Sequence, residues 1–222
     1  MSREAASDPL DAPHTLRRGL DLLGLSLGEE GAALLERFLA ELSLWNRTYG
    51  FVKAEGTDLV IRHVLDSLSA CPVLADLHPR ETVLDVGSGA GFPGIPLAVA
   101  FPDTSFRLLE RSTKRVAFLR SAAAVLALRN VSVDCSDLRE ARGEADVITF
   151  RAFSPLDRFF RDLGASPLRW RAVLAYKGRM SQAREETESL AERGGLEVRL
   201  RETRVPFLDA ERTLVVLSRR EP

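Results

Sequence analysis

The sequence is poor in the residues that build disulfide frameworks and metal sites. Its 222 residues include only two cysteines, Cys71 and Cys135, and three scattered histidines. Two lone cysteines make no disulfide framework, and this spacing of cysteine and histidine matches no zinc motif. The sequence therefore predicts a protein without a metal site.

Long apolar runs are missing as well. No stretch approaches the roughly 18 apolar residues that a membrane-spanning helix needs, and the first 13 residues lack the apolar core of a secretory signal. We expect residues 1–13 to be disordered. Apolar residues make up 45% of the chain and charged residues 28%, a balance typical of soluble globular proteins. The prediction is a cytoplasmic protein that does not bind membranes.

The charges nearly cancel, but their distribution is uneven. The formal net charge is −1, and lysine is scarce, with three residues against 28 arginines. Residues 107–129 hold six basic residues and one acid, and residues 151–179 hold seven and two. Two basic segments on a nearly neutral protein favour a local anionic partner over general polyanion binding. A solvated helix surface is the alternative interpretation.

Hydrophobic periodicity divides the chain near residue 80. Before that point, apolar residues recur at helical spacing, as in Leu35, Phe38 and Leu42 and again in Ile61, Val64 and Leu68. We predict an N-terminal helical extension over residues 14–80. Its first helix covers residues 14–23, and a short link at residues 46–50 separates the two helices with these stripes.

After residue 80, short buried strands alternate with helical segments. This order predicts an α/β fold with a doubly wound, mostly parallel sheet over residues 81–222. Two further runs, at 196–203 and 213–218, predict an antiparallel terminal pair. The five parallel strands are predicted at Thr82–Val86, Ser105–Glu110, Asn130–Asp134, Ala145–Phe150 and Ala172–Tyr176.

A glycine-rich loop between the first strand and the next helix is the strongest chemical signal. Its G-x-G-x-G spacing differs from the G-x-G-x-x-G of dinucleotide-binding loops. S-adenosylmethionine (SAM) has no pyrophosphate. It needs a glycine loop whose backbone comes close to its amino-acid part, and acidic residues that bind its ammonium group and ribose hydroxyls. An acid precedes the loop, and another ends the second strand. The predicted cofactor residues are Asp85, Gly87, Gly89, Gly91 and Glu110, with NAD as the alternative ligand.

Missing motifs narrow the methyl acceptor. The fourth strand is followed by Arg151-Ala152-Phe153 rather than by the Asn/Asp-Pro-Pro-aromatic motif usual in exocyclic amino methyltransferases. Neither cysteine has the surroundings of the nucleophile that a C5-pyrimidine enzyme needs. A ring nitrogen with a free lone pair, such as guanine N7, requires no general base. Catalysis then depends on in-line positioning and electrostatic matching.

From about residue 44 to residue 217, the chain resembles the RsmG family, also called GidB, the bacterial 16S rRNA guanine-N7-methyltransferases. Ordinary SAM enzymes share only the glycines, whereas the His-x-x-Asp-Ser block and the Gly-Phe-Pro-Gly-Ile-Pro loop are specific. The matching segments are Trp45-Asn46-Arg47, Arg62–Ser67, Asp85–Pro96, Lys114-Arg115 with Phe118-Leu119, Arg151-Ala152-Phe153, Tyr176-Lys177-Gly178 and Asp209-Ala210-Glu211-Arg212.

The resemblance implies a class I methyltransferase fold with an N-terminal helical extension and SAM as cofactor. It also implies a guanine of 16S rRNA as substrate, the one at position 527, in free rRNA or in the assembling small ribosomal subunit. The family's cofactor positions correspond to Gly87, Phe92, Leu138, Arg139 and Arg151, and Arg151 is also the candidate catalytic residue. At residue 139 the family commonly has an acid; here the acid is Glu140.

Six further residues are candidates for substrate or RNA contact. His63, Asp66 and Ser67 share one helical face, which either docks the helix or lines the site; the resemblance favours the site. Cations are unfavourable at a helix N-terminus, so Lys114 and Arg115 are better explained by phosphate contact. Lys177 follows the fifth strand, where the carboxyl end favours the crevice of the site.

Two other classes of function stay open at this stage. One is a SAM enzyme that acts on a small molecule or a protein. The other is an NAD(P)-binding reductase or a non-catalytic nucleotide-binding module. The basic segments argue against the first and the glycine spacing against the second. We expect the protein to be a monomer.

Overall fold

A single seven-stranded sheet forms the centre of the molecule, which is described by a computed structural model over residues 12–192 and 195–219. The strands lie in the order β3-β2-β1-β4-β5-β7-β6. Strands β1 to β5 are parallel, and β7 runs antiparallel to both β5 and β6. The bounds are β1 Thr82–Val86, β2 Ser105–Glu110, β3 Val131–Cys135, β4 Glu144–Arg151, β5 Arg169–Lys177, β6 Leu196–Thr203 and β7 Arg212–Arg219.

The predicted fold class is confirmed, and the strands begin and end within three residues of their predicted limits. The largest difference is at β5, which begins at Arg169 rather than at Ala172. Arg169 and Trp170 pair with Glu144 and Ala145 of β4. Exposed and buried residues alternate in this first part of β5, but the hydrogen-bonded pairing with β4 extends through it.

Helices cover both faces of the sheet. Buried side chains of α6 and α7 form one hydrophobic cluster together with the helical extension, through residues such as Phe38 and Phe118. The second cluster, around Phe159 and Ala183, joins α8 and α9 to the opposite face. The bounds are α6 Gly94–Ala100, α7 Thr113–Val125, α8 Leu156–Gly164 and α9 Met180–Glu192.

The extension consists of a short helix, a long helix and a segment of three short helical pieces, followed by another short helix. Residues 1–11 lie outside the described residues, and α1 begins two residues before the predicted limit. The predicted link at 46–50 is wrong, because α2 continues to Tyr49 and Gly50 caps it. The pieces are α1 Ala12–Leu22, α2 Gly28–Tyr49, α3 Gly56–Leu59, a π-helical turn Val60–Leu65, α4 Asp66–Leu68 and α5 Cys71–Ala75.

The polar helix face around His63, predicted either to dock the helix or to line the site, is partly buried. Asp66 and Ser67 are buried, whereas His63 is half-buried. The Tyr176 hydroxyl of β5 donates a hydrogen bond to the Ser67 carbonyl at 2.6 Å, and Thr203 of β6 donates to the Ser69 carbonyl at 3.2 Å. The extension is therefore joined to the sheet by polar contacts as well as by apolar packing.

Candidate active site

A cleft of about 330 Å³ opens at the carboxyl ends of β1, β2 and β4. Strands β1 and β4 are neighbours in the sheet although they are not consecutive in the chain. Ligands of open α/β sheets bind at such a switch point. The predicted residues among those lining the cleft are Gly87, Glu110, Arg115, Leu138 and Arg151.

Glu110 connects the glycine loop to this cleft. One carboxylate oxygen accepts the Gly89 N–H at 3.0 Å, and the other accepts the Ser112 N–H at 2.8 Å. A carboxylate has about four lone-pair sites, so each oxygen retains acceptor capacity for a ligand. Gly89 has a positive φ of 57°, and a Cβ there would have only the Gly87 carbonyl oxygen nearby, at 3.7 Å. The loop therefore leaves open space beside an acid.

Four predicted cofactor residues at or next to the loop, Asp85, Gly89, Gly91 and Phe92, are not among the residues lining the cleft. Asp85 is fully buried, and its Oδ2 accepts the Gly94 N–H at 3.1 Å. A Cβ at Gly91 would approach the Phe38 ring of α2 to 3.2 Å. The Phe92 ring packs against Phe38 with centroids 5.3 Å apart. Asp85, Gly91 and Phe92 therefore pack on α6 and the extension, and Arg151 lies 5.4 Å from the centre of the Phe92 ring; direct contact of these three residues with a cofactor stays a prediction.

Burial also changes the ionisation of Asp85. Loss of solvent raises its pKa to about 7, although the nearby Ser88 hydroxyl and the hydrogen bond from the Gly94 N–H oppose the shift. Its second carboxylate oxygen, Oδ1, is buried without a hydrogen-bond partner among the described residues. Asp85 is therefore not a fixed anion in the cleft. It stabilises the N-terminus of α6, where the Gly94 N–H has no partner within the helix.

Arg151 joins the cleft to the extension. Its Nη1 donates to Asp66 Oδ2 at 2.8 Å and to the Arg62 carbonyl at 3.0 Å, and its Nη2 lies 2.8 Å from His63 Nδ1. Asp66 Oδ1 also accepts from Arg212 Nε at 2.7 Å. One buried carboxylate thus serves two guanidinium groups, which leaves a net positive charge. Arg151 uses three of its five N–H donors in these contacts.

His63 is held in its neutral form. Burial, together with the positive charge of Arg151, lowers its pKa to about 4. The guanidinium of Arg151 has only donors, so the facing Nδ1 of His63 accepts and the ring proton is on Nε2. The ring also lies 5.0 Å from that of Phe92, centroid to centroid. His63 and Asp66 therefore contact Arg151, whereas the Ser67 hydroxyl donates to the His63 carbonyl within the extension.

The segment after β3 contributes Leu138 to the cleft but not the side chain of Arg139. Arg139 Nη2 pairs with Asp162 Oδ1 of α8 at 2.6 Å. Its backbone N–H donates to Asp137 Oδ1 at 3.1 Å. Glu140 is exposed and accepts a 3.4 Å hydrogen bond from Ser136. Neither Arg139 nor Glu140 is among the residues lining the cleft, and a cofactor contact at residue 139, through the backbone or a side chain, stays a prediction.

Lys177 does not face the cleft either. Its Nζ lies 2.6 Å from Glu186 Oε2 of α9, and the same oxygen accepts the Leu156 N–H at 3.0 Å. Lys177 thus takes part in a contact between β5, α8 and α9, and its contact with the substrate stays a prediction. Lys114, in contrast, is exposed in the first turn of α7, next to Arg115 at the edge of the cleft.

Sequence reasoning missed several residues of the cleft. Three of them could have been found from the strand ends, where ligands of parallel sheets bind. Ser136 and Asp137 directly follow β3, and Phe153 follows β4. Arg158 and Asp162 project from α8, and no sequence signal marked them. Phe153 packs over Gly87, where a Cβ would clash with its ring.

Two further observations concern membrane-spanning helices and metal ligands. Within residues 12–192 and 195–219, no helix is long and apolar enough to cross a membrane. In the same part of the chain, His, Cys, Asp and Glu form no group of three or more that is able to hold a metal ion.

Comparison with known proteins adds independent findings. The GidB family profile, described as rRNA small subunit methyltransferase G, matches residues 32–215. The ribosomal RNA small subunit methyltransferase G of Laribacter hongkongensis is 40% identical over 214 residues, which cover 92% of this chain and 97% of that protein. The counterpart from Cupriavidus necator is 39% identical over 220 residues, 92% of this chain and 94% of that one. Human methyltransferase 10 domain containing protein has a similar fold, with a TM-score of 0.60 at 15% identity over 84% of this chain and 96% of that one.

Proposed function

Because the chain belongs to the rRNA small subunit methyltransferase G family, we propose that it transfers the methyl group of SAM to N7 of a guanine in 16S rRNA. The guanine at position 527 is the target that the resemblance implies. The observation that carries this proposal is the family match over residues 32–215, which includes the whole cleft. A cytoplasmic site of action follows from such a substrate.

The residues of the cleft fit SAM. The open space at Gly89 gives a ligand access to the backbone, and Glu110 retains lone pairs for ribose hydroxyls. Leu138 supplies an apolar wall for the adenine. The excess positive charge around Arg151 suits the methionine carboxylate, since a forked guanidinium binds carboxylates well. NAD would bring a pyrophosphate, which dinucleotide folds bind through a differently spaced loop.

The reaction requires positioning more than proton transfer. SAM, when bound, supplies an electrophilic methyl group on its sulfonium. Guanine N7 has a free lone pair, so no residue of the chain needs to remove a proton before attack. Arg151 and Glu110 orient the cofactor, and the walls of the cleft set the line of approach. The neutral state of His63 keeps a further positive charge away from the sulfonium.

A methylation assay tests the proposal. The purified protein is incubated with methyl-labelled SAM and either naked 16S rRNA or small subunits from cells that lack the gene. We expect 7-methylguanosine in the rRNA, identified by mass spectrometry at one position. Label found only in proteins or small molecules would contradict the RNA substrate. The cofactor is tested separately by thermal-shift measurements with SAM and with NAD. Stabilisation by NAD but not by SAM would contradict SAM as the cofactor.

Replacing Gly89 with valine should abolish SAM binding. Valine would place a branched side chain in the open space beside Glu110, and its Cβ would lie in a left-handed backbone conformation that costs roughly 1–2 kcal/mol per residue. Isothermal calorimetry measures the loss of SAM binding, and urea unfolding measures the loss of stability.

Gly24 provides a matched control for this variant. It also has a positive φ, 66°, with open space around it, but it follows α1, away from the cleft. Gly24→Val should lose a similar amount of stability and bind SAM normally. Equal SAM affinity in both valine variants would remove Gly89 from the cofactor site.

A further inference from the structure

A second groove, of about 410 Å³, lies beside the cleft. It runs between the C-terminal end of α2 and the N-terminal turn of α7. The groove shares Glu110, Arg111 and Arg115 with the cleft. A chain bound in this groove would therefore continue directly into the proposed active site.

An exposed tyrosine forms the wall of this groove on the α2 side. Tyr49 is 45% exposed as a residue, although its ring belongs to an aromatic cluster. It stacks on Phe51 with centroids 5.5 Å apart and an angle of 10° between the planes. Phe51 in turn contacts the buried ring of Phe118 at 5.5 Å. Tyr49 also contacts the Trp45 ring of the same helix, with centroids 5.6 Å apart and planes tilted by 31°. The ring is thus supported on the core, and only its exposed part is open to a ligand.

The backbone around the tyrosine is fixed. Gly50 ends α2, and its N–H donates to the Asn46 carbonyl at 2.9 Å. The Asn46 side chain then makes two 2.9 Å hydrogen bonds with the backbone of Val52. These bonds hold the turn that places Phe51 against Tyr49. A ring held in this way loses little conformational entropy when a ligand stacks on it.

The α7 side of the groove carries three cations. Lys114 Nζ lies 5.8 Å from the centre of the Tyr49 ring, and Arg115 is 3.9 Å from Glu110. Among the described residues, Arg111 and Lys114 have no carboxylate within ion-pair distance. Cations at a helix N-terminus oppose the helix dipole, so their position is unfavourable for α7 itself. An exposed ring beside unpaired cations matches the chemistry that binds single-stranded nucleic acid.

We propose that this groove binds the single-stranded RNA next to the target guanine. One flanking base stacks on Tyr49, and the phosphates of the strand contact Arg111, Lys114 and Arg115. This inference rests on the proposed function, because the shared residues make the groove an extension of the proposed active site.

The experiment separates the stacking contact from the phosphate contacts. Affinity for an unstructured RNA of about 10 nucleotides is measured by fluorescence anisotropy between about 50 and 200 mM salt. Tyr49→Leu should weaken binding about 5- to 100-fold without changing the salt dependence, because stacking involves no counterion release. Tyr49→Phe should bind nearly as the wild type does. Lys114→Ala should reduce the slope of the salt dependence by about 0.7.

Phe207 supplies the control. It is an exposed aromatic residue, 52% exposed, that is not among those lining the groove, and Phe207→Leu should bind RNA normally. Wild-type RNA affinity in Tyr49→Leu would overturn the proposal. It would also be overturned if Tyr49→Leu bound naked RNA normally but lost affinity only for the ribosomal subunit, because the groove would then face a protein.

The outcome is distinguishable from failure of the proposed function. If the wild type methylates 16S rRNA and Tyr49→Leu binds RNA normally, only the groove assignment fails. If the wild type methylates no rRNA but its RNA affinity depends on Tyr49 as expected, the groove stands and the proposed reaction fails. SAM affinity, measured by calorimetry, should be unchanged in all the groove variants.

Discussion

Arg151→Lys should bind SAM about 10- to 100-fold more weakly than the wild type. Hydrogen bonds to charged groups contribute about 1.5–3 kcal/mol each, and about 1.4 kcal/mol corresponds to a tenfold change. Lysine retains the charge but lacks the planar fork. It is unable to replace the contacts with Asp66, Arg62 and His63 and also bind a carboxylate in the cleft.

Calorimetry and single-turnover kinetics distinguish two roles of Arg151. If it binds the methionine carboxylate, the dissociation constant of SAM rises first. If it binds guanine O6 or a neighbouring phosphate, SAM binds normally and methyl transfer is slow. We expect the first result, because the resemblance implies a cofactor role for Arg151 and its surroundings have excess positive charge.

Arg158 is the control for this experiment. It also lines the cleft, but its side chain is 69% exposed and lies 3.8 Å from Asp162. Because the Arg158 side chain is mostly hydrated and lysine retains its positive charge, Arg158→Lys should bind SAM almost normally. Wild-type SAM affinity and wild-type turnover in Arg151→Ala would contradict both roles and leave Arg151 with a structural one.

The sequence predicted those parts of the site that depend on the backbone alone. Parallel strands end at the same edge of a sheet, so the acid at the end of β2 was expected near the glycine loop. The structure places Glu110 within 3.0 Å of the Gly89 nitrogen. The order of apolar runs likewise predicted the parallel sheet and its antiparallel end.

The sequence did not predict the direction of individual side chains. Successive residues of a strand point to opposite faces, and Asp85, one residue before the end of β1, points to the face covered by α6. The resemblance assigned Arg139 to the site, and its place after β5 assigned Lys177. Their side chains pair with Asp162 and Glu186, because helices that follow later in the chain bring these carboxylates close.

Asp66 is an example of a residue whose role depends on distant parts of the chain. Its partners, Arg151 and Arg212, are 85 and 146 residues away. Local spacing placed Asp66 on a polar helix face. It left open whether this face docks the helix on the rest of the protein or lines the site. In the structure, Asp66 joins the extension to the sheet through Arg151 and Arg212. One of these partners, Arg151, is the candidate catalytic residue.

Asp66→Ala should destabilise the protein strongly and weaken SAM binding as well. The carboxylate is only 6% exposed, and its removal leaves two guanidinium groups without their shared anion. Breaking a buried ion pair in this way costs about 3–5 kcal/mol. We expect the lower end of this range, because Arg212 is 25% exposed and remains partly hydrated. Urea unfolding measures the loss.

The matched variants Arg212→Ala and Asp66→Ala/Arg212→Ala separate stability from positioning. Arg212→Ala leaves the whole carboxylate to Arg151, so SAM affinity should stay close to that of the wild type. The double variant no longer contains the unpaired Arg212 cation and should regain part of the stability lost in Asp66→Ala. Its SAM affinity should stay low, because Arg151 still lacks the group that orients it. If Asp66→Ala loses less than about 1 kcal/mol, the range of an exposed pair, and binds SAM normally, Asp66 neither joins the extension to the sheet nor positions Arg151.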